Sequence, residues 1–337
     1  MSLLYLNGFD EVGVHDQSAV ITGTPTFVTG RRTGSSALRL TNTTQGWQWG
    51  IPNTQTLFLG FSAAFSNSPS ASNDWLRLQV GATIHLAVRI NTSGQLVLYR
   101  GTTSLVTSTL TVPIDQTWHN IQIKAVISGT VGEAVIKVDE TTFVTFSGNT
   151  SNGGAGAYVD TVLIRGTNSG NWITVDDLVI LDNAGSAPLN TWPGDLAIET
   201  VVPDGNGDVS AWVGSDGNSV DNYQHVDDAL TAAPLMTEYV AAAAGAGRDL
   251  YSMPSLPTPT ASLLAVQPVL YLQASDAGTA PTIRAVGKQA GTAAVGSNIT
   301  PAAAVAQVLG PIWTTTPGGA AWSPAAFDGL EVGVETV

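Results

Sequence analysis

The feature that most constrains this chain is a repeat of period two. In Leu76-Arg-Leu-Gln-Val80 and Ile84-His-Leu-Ala-Val-Arg-Ile90 every second residue is aliphatic. That spacing lines up apolar side chains on one face of an extended backbone, whereas a helix would scatter them around its circumference. Asn91-Thr-Ser-Gly94 supplies turn chemistry, and Gln95-Leu-Val-Leu-Tyr99 leads the chain back as a hairpin. Ile121-Gln-Ile-Lys-Ala125 and Ala134-Val-Ile-Lys-Val138 repeat the pattern, with Asp139-Glu140 as the turn into Phe143-Val-Thr-Phe146. Val159 to Ile164 and Trp172 to Leu181 complete the series. Many short strands, turn signals about every 8–12 residues and almost no helix signal predict an all-β sandwich.

At ~100–200 residues per domain, a chain of 337 residues holds two domains. The vocabulary shifts in Asn183-Ala-Gly-Ser-Ala-Pro-Leu-Asn-Thr-Trp-Pro-Gly194, which has two Pro, two Gly and no β-run. The expected division is a β-sandwich over 1–188, a linker at 189–194, and a smaller acidic β-sandwich over 195–337. Charge follows the same division. Residues 1–190 carry 9 basic and 12 acidic side chains, and 191–337 carry 3 and 14. With a net charge of −14 and three lysines, the chain is a poor neutraliser of phosphates, so nucleic acid is not an expected partner. No apolar run reaches the ~18 residues of a membrane span, and the N-terminus lacks the pattern of a signal peptide. The absence of cysteine removes disulfides, thiolate metal sites and Cys nucleophiles.

Leu3-Leu-Tyr-Leu-Asn-Gly-Phe-Asp10 and Gly30-Arg-Arg-Thr-Gly-Ser-Ser-Ala-Leu-Arg-Leu40 resemble the first strands of concanavalin A/laminin G-like jelly rolls. Trp118-His-Asn-Ile-Gln-Ile-Lys124, Ala134-Val-Ile-Lys-Val-Asp139 and Ile173-Thr-Val-Asp-Asp-Leu-Val-Ile-Leu-Asp182 are similar to that fold's central and returning strands. The version of the fold resembles virion structural proteins of tailed bacteriophages, in which the jelly roll precedes an acidic C-terminal module. The resemblance implies a non-catalytic component of the particle, of tail, fibre or capsid-decoration type. Its implied partners are other virion proteins and further copies of itself, with a trimer favoured. The alternative is a carbohydrate-binding module recognising a host surface glycan.

The search for catalytic chemistry returns no candidate. No pair of carboxylates has the one-face spacing of a retaining glycosidase. Asp139-Glu140, Asp176-Asp177 and Asp227-Asp228 are adjacent pairs, whose members point to opposite faces of a regular strand. On that parity one of Asp176 and Asp177 points toward the core and there hydrogen-bonds backbone or binds an ion, while Asp139-Glu140 reads as a hairpin turn. His15, His85, His119 and His225 lack zinc-ligand spacing. Parity puts His85 on the face away from the core and His119 at the edge of the packed layer.

Three sets of residues remain as candidates. Asp204, Asn206 and Asp208 place oxygens at alternate positions, as the first half of a calcium loop does; a turn between strands uses the same residues. Calcium is therefore the one cofactor considered. Trp47, Trp49 and Trp75 are either glycan-stacking rings or core. Trp313, Trp322 and Phe327, in a segment rich in Gly and Pro, are the expected assembly contacts.

Overall fold

The computed structural model describes residues 3–10, 19–67, 73–153, 156–168, 170–228, 237–242, 245, 247–256, 262–275 and 281–337. His15 lies outside the described residues. The chain is all-β, as its periodicity predicts, and divides into two compact units, the first ending at Ile198 and the second taking up the chain from Glu199. Among the described residues no helix is long and apolar enough to cross a membrane.

The first unit is a jelly-roll sandwich of two antiparallel sheets. Its strands are β1 (Leu3–Asn7), β2 (Ala19–Thr22), β3 (Thr26–Thr29), β4 (Ser36–Leu40), β5 (Gly46–Thr54), β6 (Thr56–Phe65), β7 (Asn73–Val80) and β8 (Thr83–Ile90). They continue as β9 (Gln95–Arg100), β10 (Thr103–Thr111), β11 (His119–Val126), β12 (Gly132–Val138), β13 (Thr141–Gly148), β14 (Val159–Arg165) and β15 (Ile173–Asp182). One sheet runs β13-β12-β11-β6-β15-β4-β3, with β1 also on β15; the second runs β10-β9-β8-β7-β14-β5-β2. All pairings are antiparallel.

The inward rows of the two sheets make the core. Leu57, Leu59, Phe61, Leu38 and Leu40 come from the first sheet, and Trp47, Trp49, Trp75, Leu76, Leu78 and Leu86 from the second. Trp75 meets Phe61 and Phe65 edge-on across the gap, with centroids 5.9 and 5.8 Å apart. Rings of this size bury roughly 150–250 Å² each, so these contacts dominate the cohesion of the sandwich. The Asp139-Glu140 turn has both residues in the left-handed region, as a two-residue hairpin loop requires.

The segment expected as a linker is docked on the outer face of the first sheet. Trp192 packs edge-on against Phe58 at 5.8 Å, with the Lys137 ammonium 4.4 Å over its ring. The Gly194 amide donates to Gln122 Oε1 at 2.9 Å. Gly60 makes this docking possible, because a Cβ there would lie 2.5 Å from Pro193 Cγ. The first unit therefore runs ten residues past the expected limit at 188, to Ile198.

In the second unit the strands are β16 (Gly205–Ser210), β17 (Val213–Gly214), β18 (Val240–Ala241), β19 (Arg248–Ser252), β20 (Val269–Leu272), β21 (Ile283–Gln289), β22 (Thr292–Val295), β23 (Ala306–Leu309) and β24 (Leu330–Thr336). The main sheet runs β16-β19-β24-β21-β22, and β17-β18 and β20-β23 are two-stranded ladders. On one face of the main sheet, Glu335 of β24 lies across from Arg248 and Arg284 and is ion-paired to both. Two apolar clusters form the unit's core, one around Trp313, Trp322, Phe327 and Leu330 and one around Trp212, Ile283 and Val334.

Candidate functional site

The outer face of the second sheet concentrates positive charge. Its seven strands carry four of the chain's twelve basic residues and only two of its 26 acids. Three of the four, Arg77 on β7, Arg89 on β8 and Arg165 on β14, gather on this face around Asp74. A β-bulge assembles them. Asp74 pairs with Arg89, while Leu76 pairs with Val88, so Trp75 is the extra residue of β7. Trp75 and Leu76 both turn into the core and are fully buried, which brings Asp74 and Arg77 out on the same side.

The Asp74 carboxylate is largely buried and holds two guanidinium groups. Its Oδ2 accepts from Arg77 Nε at 2.8 Å and lies 2.8 Å from Arg77 Nη2; its Oδ1 accepts from Arg89 Nε at 2.5 Å. The Arg89 guanidinium also lies over the Tyr99 ring, with Cζ 3.9 Å from the centroid. Arg89 is thus held through Nε and against the ring, and its Nη groups make no hydrogen bond among the described residues. Arg165 donates to the Thr43 carbonyl. Burial lowers the pKa of Arg165, the Arg77 charge lowers it further, and Asp74 partly offsets both. Three guanidinium charges against one carboxylate leave +3 − 1 = +2 on this face.

The outer face of the first sheet carries a second arginine–aspartate cluster, and there the chain itself covers it. A bulge between Asp176 and Val179 of β15, with Asp177 at φ 56, turns both adjacent carboxylates outward. Asp177 accepts from Arg32 Nη1 and Nη2 at 2.7 and 2.8 Å and from the Ile198 amide at 2.7 Å. Arg31 forms a bidentate pair with Asp195 at 2.6 and 2.7 Å, and its amide donates to Asp176 at 2.8 Å. Burial, followed by the neighbouring Asp177 charge, pushes the Asp176 carboxyl up to about 7. The expectation that one of these aspartates faces the core is corrected: both belong to the polar clamp over the sheet.

The histidines are structural in different ways. His85, expected on the open face, is fully buried. Its Nδ1 accepts from the Asn152 amide and its Nε2 donates to the Gly156 carbonyl, both at 2.9 Å, which defines the neutral tautomer. Desolvation lowers its pKa. His119 lies between Asp139 (2.6 Å from Nδ1) and Asp115 (3.2 Å from Nε2). Burial alone would lower its pKa, but the bonds to Asp139 and Asp115 outweigh it, and the net direction is upward.

The residues singled out in the sequence as binding candidates are spent on packing. Trp47, Trp49 and Trp75 are buried and pack on Phe9, Tyr5 and Phe61; none is a glycan platform. Asp204, Asn206 and Asp208 lie at and along β16 and do not converge on a cation. Asp204 accepts from the Ser252 hydroxyl at 2.9 Å, Asn206 accepts from the Tyr223 amide at 3.0 Å, and Asp208 pairs with Lys288. Trp313, Trp322 and Phe327, expected at an assembly surface, line their own unit's core, and Trp322 Nε1 donates to the Trp313 carbonyl at 2.7 Å.

Among the described residues one group has the make-up of a metal site: ligand atoms of Asp216, Asp221 and His225 lie within 4.8 Å of one another. Neither this group nor the arginine face was found from sequence. The first is brought together by a loop and a single 3-10 turn (Asn222–His225), and the second by a bulge.

No protein-family model and no curated protein matches the sequence. Solved structures align with part of the chain. A sialidase aligns over 55% of this chain and 19% of its own, at 7% identity and a TM-score of 0.41. A mutant of Trypanosoma rangeli sialidase displaying trans-sialidase activity aligns over 51% of this chain and 28% of its own, at 15% identity and a TM-score of 0.38. The alginate lyase Aly36B in complex with alginate trisaccharide aligns over 53% of this chain and 97% of its own, at 11% identity and a TM-score of 0.38. The chain thus spans less than a third of the length of these sialidases. Likeness at this level concerns the fold alone. The expectation of a structural component of a tailed-phage particle is corrected here. Trp313, Trp322 and Phe327, the residues expected to carry its assembly, are spent on their own unit's core.

Proposed function

We propose that the jelly-roll unit is a carbohydrate-binding module whose site is the outer face of its second sheet. The observation that carries this reading is Arg89, held by Asp74 through Nε and seated over the Tyr99 ring, with no hydrogen-bond partner at its Nη groups among the described residues. A side chain already fixed in its binding geometry loses little entropy when a ligand arrives. Arg77 and Arg165 extend the row of donors across β7 and β14. The role is binding without turnover. Asp74 gives both carboxylate oxygens to arginines, so it is not available on this face as an acid or a base.

The test is the full chain on an array of plant, algal, bacterial and animal glycans. The expected outcome is binding to a subset of glycans, weakened at least tenfold by Arg89→Ala with the thermal transition retained. Absence of binding to every glycan, or binding indifferent to Arg77, Arg89 and Arg165, overturns the reading.

A further inference from the structure

We infer that this face selects saccharides that carry a carboxylate, uronic or sialic acids, over neutral sugars. The inference rests on the carbohydrate-binding reading and adds the ligand's charge and chemical group.

The balance of donors and acceptors sets the ligand's chemical group. A neutral sugar hydroxyl is both donor and acceptor, and a site that reads neutral sugars supplies partners for both roles. A guanidinium is all donor: five N–H groups and no acceptor. The acceptor at the centre of the arginine group is the Asp74 carboxylate, whose Oδ2 is occupied by Arg77 and Oδ1 by Arg89. What remains around it is an excess of donors with a local charge of +2. The complementary ligand group is an anion with several lone pairs in one plane, and the Nη edge of Arg89 matches a carboxylate in bidentate fashion.

The wider charge distribution favours a short ligand. Of the chain's −14, residues 191–337 supply −11 and residues 1–190 only −3. At physiological salt, charges more than ~8 Å away are largely screened, so the arginine face acts on a ligand locally. Outside the face, residues 1–190 carry −3 − 2 = −5, so a polyanion long enough to leave the face meets net negative charge on the same unit. Oligosaccharide ends and short acidic stretches therefore suit the face better than a nucleic acid does.

The experiment is calorimetric titration of the full chain with trigalacturonate, alginate trisaccharide and sialyllactose. Each is paired with its carboxyl-reduced form, in which the acid is a primary alcohol, and a sulfated neutral trisaccharide is added. The expected result is at least tenfold tighter binding of a carboxylated probe than of its reduced form. Arg89→Gln is expected to erase that preference, Arg89→Lys to leave most of it unrestored, and raising the salt from 50 to 500 mM to weaken it. Arg89→Gln leaves Asp74 paired with Arg77, so the fold is retained and circular dichroism checks this directly. Equal affinity for acid and reduced forms, or preference for the sulfated probe, overturns the carboxylate inference and leaves the carbohydrate reading standing. No binding of any saccharide overturns both.

Discussion

The jelly roll carries an arginine–aspartate cluster on the outer face of each sheet, and the two have opposite fates. On the first sheet Arg31 and Arg32 meet Asp176, Asp177 and Asp195, the carboxylates match or outnumber the guanidiniums, and residues 192–198 lie over the group. On the second sheet three guanidiniums meet one carboxylate. The same residue types therefore make a clamp in one place and a binding face in the other. Two features separate them: the ratio of donors to acceptors, and whether the chain itself supplies the covering partner. Buried and balanced charges hold structure, while an unbalanced set of preorganised donors has capacity left for a ligand.

The sharpest way to break this contrast is to remove one charge from each cluster. Asp177→Ala removes the buried carboxylate that accepts both Arg32 Nη groups and the Ile198 amide, and breaking a buried pair of this kind costs about 3–5 kcal/mol. Urea unfolding of the full chain is expected to show a loss of that size in the jelly-roll transition. Arg89→Ala, on the binding face, leaves Asp74 its Arg77 partner and is expected to cost less, about 1–3 kcal/mol for a buried acceptor that loses one donor. Equal losses would show that the two clusters serve the same role.

A smaller effect is expected at Gly60. Adding the single methyl of Gly60→Ala drives into the rigid Pro193 ring, and overpacking of this sort costs roughly 1–3 kcal/mol. Limited proteolysis within residues 183–198 should accelerate in the variant. Unchanged cleavage would mean that the segment is held by the Arg31 and Arg32 contacts alone.

The third test is pH. The folded-state pKa of Asp176 lies above its unfolded value, so its contribution is complete below about pH 4 and is lost as pH rises toward 7. Urea midpoints measured from pH 4 to 8 should include this decline, and Asp176→Asn should flatten it.

His119 gives the smallest effect. Its folded pKa is raised, so its contribution is present below about pH 6.5 and fades as pH rises through the folded value. His119→Gln should remove this dependence, at a size near the ~0.2–1 kcal/mol of exposed ion pairs. An unchanged profile in the variant would rule out the Asp115–His119–Asp139 contact as a stabilising element.

Period two located the strands wherever one face is buried and the other is not. β7, β8, β9, β11, β12, β13, β14 and β15 all lie where the alternation or the apolar runs put them. β6, Thr56–Phe65, escaped notice because it is buried on both faces, with the core on one side and the 192–198 segment on the other. Its sequence therefore has no alternation to read. Trp47 and Trp49 share a parity that was open to two readings, and the register of β5 against β2 and β14 resolves it to the core.

The sequence by itself determined that the chain is all-β, that it divides into two parts, and that acid is concentrated in the second. These are properties of local pattern and composition, and they survive without knowing which strand pairs with which. Tertiary structure alone decided which charged residues meet. Asp74 and Arg77, three apart, and Asp176 and Asp177, adjacent, belong to opposite faces in any regular strand. A bulge in β7 and another in β15 put each pair on one face. The extra residue that makes a bulge is set by how two strands register against each other, which period-two parity does not show. Tertiary structure also decided whose core Trp313, Trp322 and Phe327 fill, because an apolar side chain contributes the same burial against its own unit as against a partner's.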